Sequence, residues 1–172
     1  MPLETDRLLL RDLEPDDLDD LAAIFADEEA MRWIGAGGVL GRDVAAGMIE
    51  REQRHYRERG WGQWATVERA SGRMIGVCGL ILWPAIGGRE ELEVAYLLAR
   101  DAWGKGFATE VALAIRDYGV GMRPDLVSLI YPENTSSIRV ARKVGMRWEK
   151  EVELEGSMLG LYRLDDPATA TA

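Results

Sequence analysis

The sequence predicts a mixed α/β fold, in which one sheet contains both antiparallel and parallel strands. Two apolar segments, 64–68 and 74–83, are separated by a short turn and form a predicted β-hairpin. A further strand at 91–99 leads through a glycine loop into an amphipathic helix at 108–118, and a strand at 126–131 follows. Because a helical crossover between two strands makes them parallel, we expect the sheet to be antiparallel first and parallel around these last two strands.

The remaining elements follow from apolar periodicity and from turn residues along the chain. Leu18, Leu21, Ala22 and Phe25 recur at helical spacing, and Gly145 is placed to end the last helix. In chain order, the other predicted elements are a strand at 7–13, a helix at 15–26, a flexible loop at 35–41, a polar helix at 43–58, a helix at 136–144, and two strands at 146–153 and 157–164.

Length and composition indicate one globular domain. The chain has 172 residues, of which 30% are charged and 47% hydrophobic, and this balance is typical of a folded domain of ordinary size. We place this domain at 1–165 and expect 166–172 to form a disordered C-terminal tail.

Charge and residue usage exclude several classes of function. The net charge of −9 disfavours nucleic acid as a partner, because nucleic-acid binding needs a basic surface. Cys78 is the only cysteine and His55 the only histidine, which excludes an intramolecular disulfide and a multi-histidine metal site. The N-terminus lacks the pattern of a secretory signal, and the apolar segment 74–86 is too short to span a bilayer. We therefore expect a cytoplasmic protein that binds no metal and no membrane.

Two segments carry the functional signal. The first is the glycine loop at 103–109, WGKGFAT, which lies between a predicted strand and a predicted helix. The first N–H groups of a helix have no partner within it, and glycines let the backbone approach an anion, so this loop predicts a diphosphate site. The second segment begins at Asn134 and continues through the predicted helix 136–144.

Together the two segments resemble the GNAT superfamily of acyl-CoA N-acyltransferases, and within it the RimJ/RimL-like branch of ribosomal-protein N-terminal acetyltransferases. Residues 103–110 reproduce the W-G-x-G-x-A-T-E loop of that branch, with Trp103 where Arg or Gln is usual elsewhere in the superfamily. The opening segment 4–11, ETDRLLLR, resembles the first strand of the branch. The later N-x-x-S…K-x-G-F/M signature is matched by Asn134, Ser137, Lys143, Gly145 and Met146.

The resemblance implies a GNAT fold, with a mixed sheet of about six to seven strands and about four flanking helices. It also implies acetyl-CoA as co-substrate and no metal. Two parallel strands splay apart, the pantetheine arm of coenzyme A pairs with the backbone between them, and the glycine loop holds the diphosphate. The residues implied to bind this cofactor are Leu97, Leu98, Ala99, Trp103, Gly104, Lys105, Gly106, Phe107, Ala108, Thr109, Asn134, Ser137, Arg142 and Lys143.

Amide formation from a thioester needs a base for the amine and a donor for the departing sulfur. Glu93 matches the E-I/V-G/A-Y element of the family and is implied to be the base, directly or through a water. Its alternative role is that of a structural strand carboxylate. His55 is a second candidate base, but it lies in the polar run 51–59, where a solvated helix face is the simpler interpretation.

The donor to the sulfur is less conventional. Ala141 stands where many GNAT enzymes have a tyrosine, and the resemblance implies Ser137 as its substitute. A serine in the first turn of a helix also bonds the backbone for structural reasons. Tyr96 and Tyr131 are reserve donors. Asn134 is implied to bond the cofactor arm, and its structural alternative is a helix N-cap.

The resemblance implies an N-acetyltransferase that moves acetyl from acetyl-CoA to a primary amine by direct attack in a ternary complex. The acceptor is either a protein N-terminus or a small molecule, and a homodimer is compatible with the family. Trp33, Trp61, Trp64 and Trp83 are candidates for the acceptor side, with Trp33 and the loop 35–41 foremost, because aromatic walls bind amines.

Two alternatives of other classes remain to be weighed. A non-catalytic acyl-CoA-binding or sensing module is favoured by Ala141, which removes the usual tyrosine. A nucleotide-binding protein is disfavoured, because the sequence has no G-x-x-x-x-G-K-[ST] motif.

Overall fold

The computed structural model describes residues 3–164, so the tail expected at 166–172 lies outside the described residues. The strands are β1 (Leu3–Glu4), β2 (Leu8–Arg11), β3 (Gln63–Glu68), β4 (Met74–Ile86), β5 (Arg89–Leu98), β6 (Val127–Ile130), β7 (Met146–Leu154) and β8 (Ser157–Leu164). The helices are α1 (Leu18–Phe25), α2 (Glu28–Met31), α3 (Arg42–Arg59), α4 (Phe107–Gly119) and α5 (Thr135–Lys143), with 3₁₀ turns at Pro15–Asp17 and Arg100–Ala102.

These eight strands form one sheet in the order β1-β2-β3-β4-β5-β6-β8-β7. Strands β1 to β5 are antiparallel to their neighbours, β5 and β6 are parallel, and β6, β8 and β7 are again antiparallel. The predicted mixed α/β fold is therefore confirmed. Strand β1 is an addition, because its two residues are too few to show a period. The one-turn helix α2 is another, and Asp27 caps its first N–H groups.

Alternate residues of each strand point to opposite sides of the sheet, so both faces carry apolar side chains. Helices cover both of these faces. On one face, α4 and α5 pack over a core that includes Leu98, and the predicted α4 stripe of Val111, Ala112 and Ile115 is fully buried there. On the other face, α1, α2 and α3 pack over a core that includes Leu97. The two neighbouring leucines of β5 thus anchor opposite layers.

The parallel pair β5 and β6 is joined at only one register position, Glu93 opposite Val127. One residue further along, the Ser128 hydroxyl donates to the Val94 carbonyl at 2.9 Å. A side chain thus satisfies a carbonyl that a longer parallel ladder would pair with backbone. Beyond this point the C-terminal ends of the two strands separate, in agreement with the splayed pair that the family resemblance implies.

The other end of β5 is tied to β8 by a buried ion pair. Glu91 is fully buried, and Arg163 donates to its two oxygens at 2.7 and 3.0 Å. Arg163 also donates to the Asp125 carbonyl at 3.0 Å, just before β6 begins. These bonds hold β5, β6 and β8 together at the end of the sheet opposite the gap. Among residues 3–164, no helix combines the length and the apolar character needed to cross a bilayer.

Candidate active site

A cavity of about 770 Å³ occupies the gap between the separating ends of β5 and β6. Its walls come from β5, β6, the glycine loop, the first turn of α4 and α5. The sequence-predicted site residues in this lining are Glu93, Leu97, Leu98, Trp103, Gly104, Gly106, Phe107, Ala108, Thr109, Asn134, Ser137 and Lys143. Ala99, Lys105 and Arg142 lie outside it.

The glycine loop ends in a helix N-terminus that is open to this cavity. Gly104 and Gly106 have φ values of +74° and +83°, a backbone conformation that side chains with a Cβ rarely adopt. Glu110 donates the first N–H bond within α4, to the Gly106 carbonyl at 3.2 Å, so the earlier N–H groups have no partner inside the helix. Within residues 3–164 no side chain caps them. The loop therefore fits a diphosphate, which such N–H groups and the helix dipole attract.

A cluster around Glu110 holds the glycine loop from the N-terminal segment. One Glu110 oxygen accepts from the Thr5 hydroxyl at 2.6 Å and from the Arg7 N–H at 3.0 Å, and the other accepts from Arg7 Nε at 2.7 Å. Arg7 Nη1 also donates to the Lys105 carbonyl at 2.9 Å, and its guanidinium lies 4.5 Å from the centre of the Phe107 ring. Partial burial opposes these contacts, but the bonds from Thr5 and Arg7 lower the pKa of Glu110 below its ordinary value.

This cluster was not expected from the sequence. Thr5 and Arg7 belong to the opening segment 4–11 and Glu110 to the loop motif 103–110, but nothing in either segment says that they meet. Arg7 and Glu110 are 103 residues apart. Only the folded chain brings the turn between β1 and β2 against the first turn of α4.

The backbone of β5 points alternately to β4 and to the gap, as in any antiparallel ladder. Ala99 donates its N–H to the Ile75 carbonyl at 2.8 Å, in register with the β4–β5 pairing. The Ala99 carbonyl accepts from the Ala102 N–H at 3.0 Å, and by alternation the backbone groups of Leu97 face β4. This corrects the expectation that the backbone of Leu97 and Ala99 pairs with the cofactor, since β4 and the 3₁₀ turn at Arg100–Ala102 already use those groups.

Leu98 and Tyr96 are the residues whose backbone groups face the gap. The Leu98 carbonyl accepts from the Trp103 indole N–H at 2.8 Å, which folds the glycine loop back onto β5. Tyr96 was named from the sequence only as a reserve donor, and the direction of its backbone groups toward the gap was not predicted. The alternation of strand residues allows the assignment only once the β4–β5 register is known.

Glu93 is a buried carboxylate at the point where β5 and β6 part. It is 8% exposed and lines the cavity, and its oxygens accept from the Trp83 indole N–H at 2.7 Å and from the Leu129 N–H at 3.1 Å. Burial raises the pKa of Glu93 to about 7, against the opposite effect of these two hydrogen bonds. A carboxylate with this pKa can accept a proton near neutral pH. The same bonds also give Glu93 a structural role beside β6.

Ser137 lies near Tyr96 in the lining of the cavity. Burial raises the pKa of Tyr96, and a hydrogen bond with the Ser137 side chain offsets part of this rise. Asn134 is the N-cap of α5, because its side-chain oxygen accepts from the Ser137 N–H at 3.1 Å, so the structural interpretation of Asn134 is confirmed. Ala141 is buried in the same wall.

The basic residues of α5 divide into two groups. Lys143 and Arg139 line the cavity, and Arg139 also donates to the Ser136 hydroxyl at 3.2 Å. Arg142 and Lys105, both predicted to contact the cofactor, are exposed and lie outside the lining.

The four tryptophans considered for the acceptor side are likewise divided. Trp33 and Trp83 line the cavity. Trp64 is instead buried in the core against Tyr118, with ring centres 5.3 Å apart. The Trp61 ring lies 4.6 Å from the Arg59 guanidinium, outside the cavity lining.

His55 lines a second, neighbouring cavity of about 360 Å³ and not the one that contains Glu93. Its Nδ1 lies 3.1 Å from the buried carboxylate of Glu52, which also accepts from the Gln63 N–H at 2.9 Å. The expectation of a solvated helix face is therefore corrected for His55. The side chain is half-buried because it helps to satisfy Glu52.

Comparison with known proteins identifies this architecture. The sequence profile of the Acetyltransferase (GNAT) domain matches residues 7–147. The chain belongs to the GNAT acetyltransferase family. GNAT enzymes take the acetyl group from acetyl-CoA and transfer it to amine acceptors, which agrees with a cavity that joins an anion-binding loop to a buried carboxylate.

Individual GNAT relatives are similar over nearly the whole chain. YkkB of Bacillus subtilis, a protein described as uncharacterized, is 31% identical over 163 residues, which span 93% of each chain. An acetyltransferase structure from Agrobacterium tumefaciens is 27% identical, with a TM-score of 0.79 over 96% of this chain and 94% of the other. RimL, a ribosomal L7/L12 alpha-N-protein acetyltransferase in complex with coenzyme A, shares the fold at 15% identity, with a TM-score of 0.74 over 95% of this chain and 97% of its own.

Proposed function

We propose that this GNAT protein acetylates a primary amine by direct transfer from acetyl-CoA in a ternary complex. One observation carries the proposal. A single cavity connects the open N-terminus of α4 with the carboxylate of Glu93. A cofactor whose diphosphate lies at the loop and whose arm follows the gap between β5 and β6 would bring its thioester toward Glu93 and Ser137.

The chemistry needs only groups that this chain supplies. A C–N bond forms between the amine and the acetyl carbon as the C–S bond breaks. Glu93 accepts the proton that the amine loses, directly or through a water. Ser137 donates a hydrogen bond to the departing sulfur, which leaves as the thiolate of coenzyme A. The Tyr96 side chain is hydrogen bonded to Ser137. It takes over part of the role of the tyrosine that many GNAT enzymes have at the position of Ala141.

Cofactor binding is assigned to the backbone and to a few polar side chains. We propose that the N–H groups of the glycine loop hold the diphosphate and that Leu98 and Tyr96 pair with the pantetheine arm. Asn134 and Lys143 line the same path. Arg142 and Lys105 do not line the cavity, so they would contact only a phosphate that extends beyond it.

The branch and the setting are inferred from the motifs. The WGKGFATE loop and the N-x-x-S signature support the RimJ/RimL-like branch, and the shared fold with RimL agrees with it. In that branch the acceptor is a protein N-terminus or a small amine. We also infer one domain at 1–165, a cytoplasmic setting, no metal, and no nucleic-acid or membrane partner; a homodimer is compatible with the family.

Release of coenzyme A thiol from acetyl-CoA, measured with a panel of amines and short peptides, tests the function. Glu93→Gln and Ser137→Ala should each lower turnover by roughly 100-fold, while calorimetric binding of coenzyme A is retained. Glu133→Gln and Ser71→Ala, at exposed positions outside the cavity, are matched controls that should act like the wild type. Binding of coenzyme A without thiol release for any amine would instead favour the acyl-CoA-binding module.

A further inference from the structure

The end of the cavity beyond Glu93 is walled by apolar side chains. They come from the segment between α2 and α3, from α3 itself and from β4, and the ones that define the wall are Trp33, Ile34, Leu40, Val44, Met48 and Trp83. Arg51 of α3 and Gln63 of β3 are polar residues of the described lining near this wall. This is the side of Glu93 away from the glycine loop, where an amine acceptor would approach.

Part of this wall leaves apolar surface open to solvent. Leu40 is 38% exposed and Val44 is 44% exposed, and both line the cavity. Val39, next to them, is 52% exposed. Covering such surface is favourable by about 25 cal/mol for each Å² removed from water. Exposed apolar side chains beside a cavity form a candidate binding surface.

The aromatic part of the wall is held in place before any acceptor binds. The Trp33 ring packs against Tyr131, with ring centres 5.8 Å apart. The Tyr131 hydroxyl donates to the Gly35 carbonyl and lies 2.9 Å from the Ser157 hydroxyl. These bonds connect the loop after α2 to the β7–β8 hairpin across the cavity. They also commit Tyr131 to this role, which removes it as a reserve donor to the sulfur.

Charges in the cavity limit what else the acceptor carries. Of the carboxylates in residues 3–164, only Glu93 and Glu155 line the cavity, and Glu93 already accepts two hydrogen bonds. A polyamine would find at most one further acidic partner, Glu155, for its other ammonium groups. Within the described part of the chain, the one cation that α3 contributes to the lining is Arg51, whose Nε donates to Glu52 at 3.0 Å, so an acceptor carboxylate would find this cation already paired.

We propose that the acceptor is a primary monoamine with an apolar, preferably aromatic, body. The body packs against Trp33, Leu40 and Val44, and the amine points toward Glu93. This inference rests on the proposed function, because it takes Glu93 as the group that receives the proton. The same chemistry is offered by a free amine and by a peptide whose first residue is large and apolar, and we assign the free amine because the aromatic side chains of the wall, Trp33 and Trp83, line the cavity itself.

Acetyl transfer to four probes tests the inference: 2-phenylethylamine, ethanolamine, spermidine, and a short peptide that begins with phenylalanine. We expect kcat/KM for 2-phenylethylamine to exceed that for ethanolamine and for spermidine by roughly 100-fold, the scale on which apolar pockets discriminate. Transfer to ethanolamine or spermidine at an equal rate would overturn the inference and leave the proposed function intact. Preference for the peptide over 2-phenylethylamine would overturn the free-amine assignment.

Val44→Asp is the decisive variant, and Val120→Asp is its matched control. The two valines are 44% and 42% exposed, but only Val44 lines the cavity. Val44→Asp should lower kcat/KM for 2-phenylethylamine by about 10-fold or more and leave coenzyme A affinity unchanged, whereas Val120→Asp should alter neither. If no amine is acetylated at all, the proposed function fails, and calorimetric titration of 2-phenylethylamine into the protein saturated with coenzyme A decides whether the apolar wall binds it.

Discussion

Replacing Glu93 by glutamine should abolish a loss of stability that the wild type undergoes as the pH rises through neutrality, and it also removes the proposed catalytic base. Burial raises the pKa of Glu93 to about 7 in the folded protein, whereas the unfolded chain has an ordinary glutamate pKa of about 4.3. Between these two values the folded protein holds a proton that the unfolded chain has lost. Stability from this group is therefore complete below the unfolded pKa and is lost as the pH rises through the folded pKa.

The size of the effect follows from the two pKa values. A difference of this kind is worth about 1.4 kcal/mol for each pH unit over which the two states differ in protonation. Between pH 5 and pH 8, the wild type should lose about 2 to 3 kcal/mol of unfolding free energy through Glu93 alone. The glutamine variant cannot ionise there and should not lose it. Glutamine has one acceptor oxygen for both Trp83 and Leu129, which adds a cost that is independent of pH.

Urea denaturation of wild type and Glu93→Gln at several pH values between 5 and 8 measures this directly. All other titrating groups are common to both proteins, so the difference between their unfolding free energies isolates Glu93. That difference should move in favour of the variant as the pH rises. Glu133→Gln, at an exposed position, should run parallel to the wild type. Parallel curves for Glu93→Gln as well would refute a raised pKa and, with it, the assignment of the base.

Three further substitutions test the glycine loop and the ion pair between Glu91 and Arg163. Arg7→Met removes the donor to the Lys105 carbonyl and should weaken coenzyme A binding by about 10-fold in calorimetry; unchanged affinity would show that the loop holds its shape alone. Gly106→Ala places a Cβ at φ +83° and should cost about 1 to 2 kcal/mol in thermal unfolding, and a neutral effect would contradict this strain. Arg163→Met removes the side chain that donates two hydrogen bonds to the fully buried Glu91, and it should lower the unfolding free energy by about 3 kcal/mol in urea denaturation. A loss below about 1 kcal/mol would contradict this prediction.

The features predicted correctly are those that depend on near neighbours in the chain. The order strand, glycine loop, helix was visible at 91–118 because apolar period and glycine positions are local signals. The N-cap at Asn134 and the buried stripe of α4 were visible for the same reason. The one-turn helix α2 and the two-residue strand β1 were not, since elements this short show no period.

Predictions that required the direction of a particular atom succeeded only in part. Ala99 was expected at the cofactor, but its N–H is used by Ile75. His55 was expected in solvent, but it contacts the buried Glu52. In each case the motif or the pattern located the residue in its element, and the partner across the sheet or along the next helix determined where its polar group points.

The sequence alone determined the family, the loop that suits a diphosphate, and the identity of the carboxylate at the start of the gap. Tertiary structure decided that β5 and β6 join at a single register position, that Thr5 and Arg7 hold Glu110, and that burial brings the pKa of Glu93 near neutrality. The division has a physical reason. Backbone conformation and helix ends follow from residues a few positions apart, whereas desolvation and long-range hydrogen bonds exist only after distant segments have packed together.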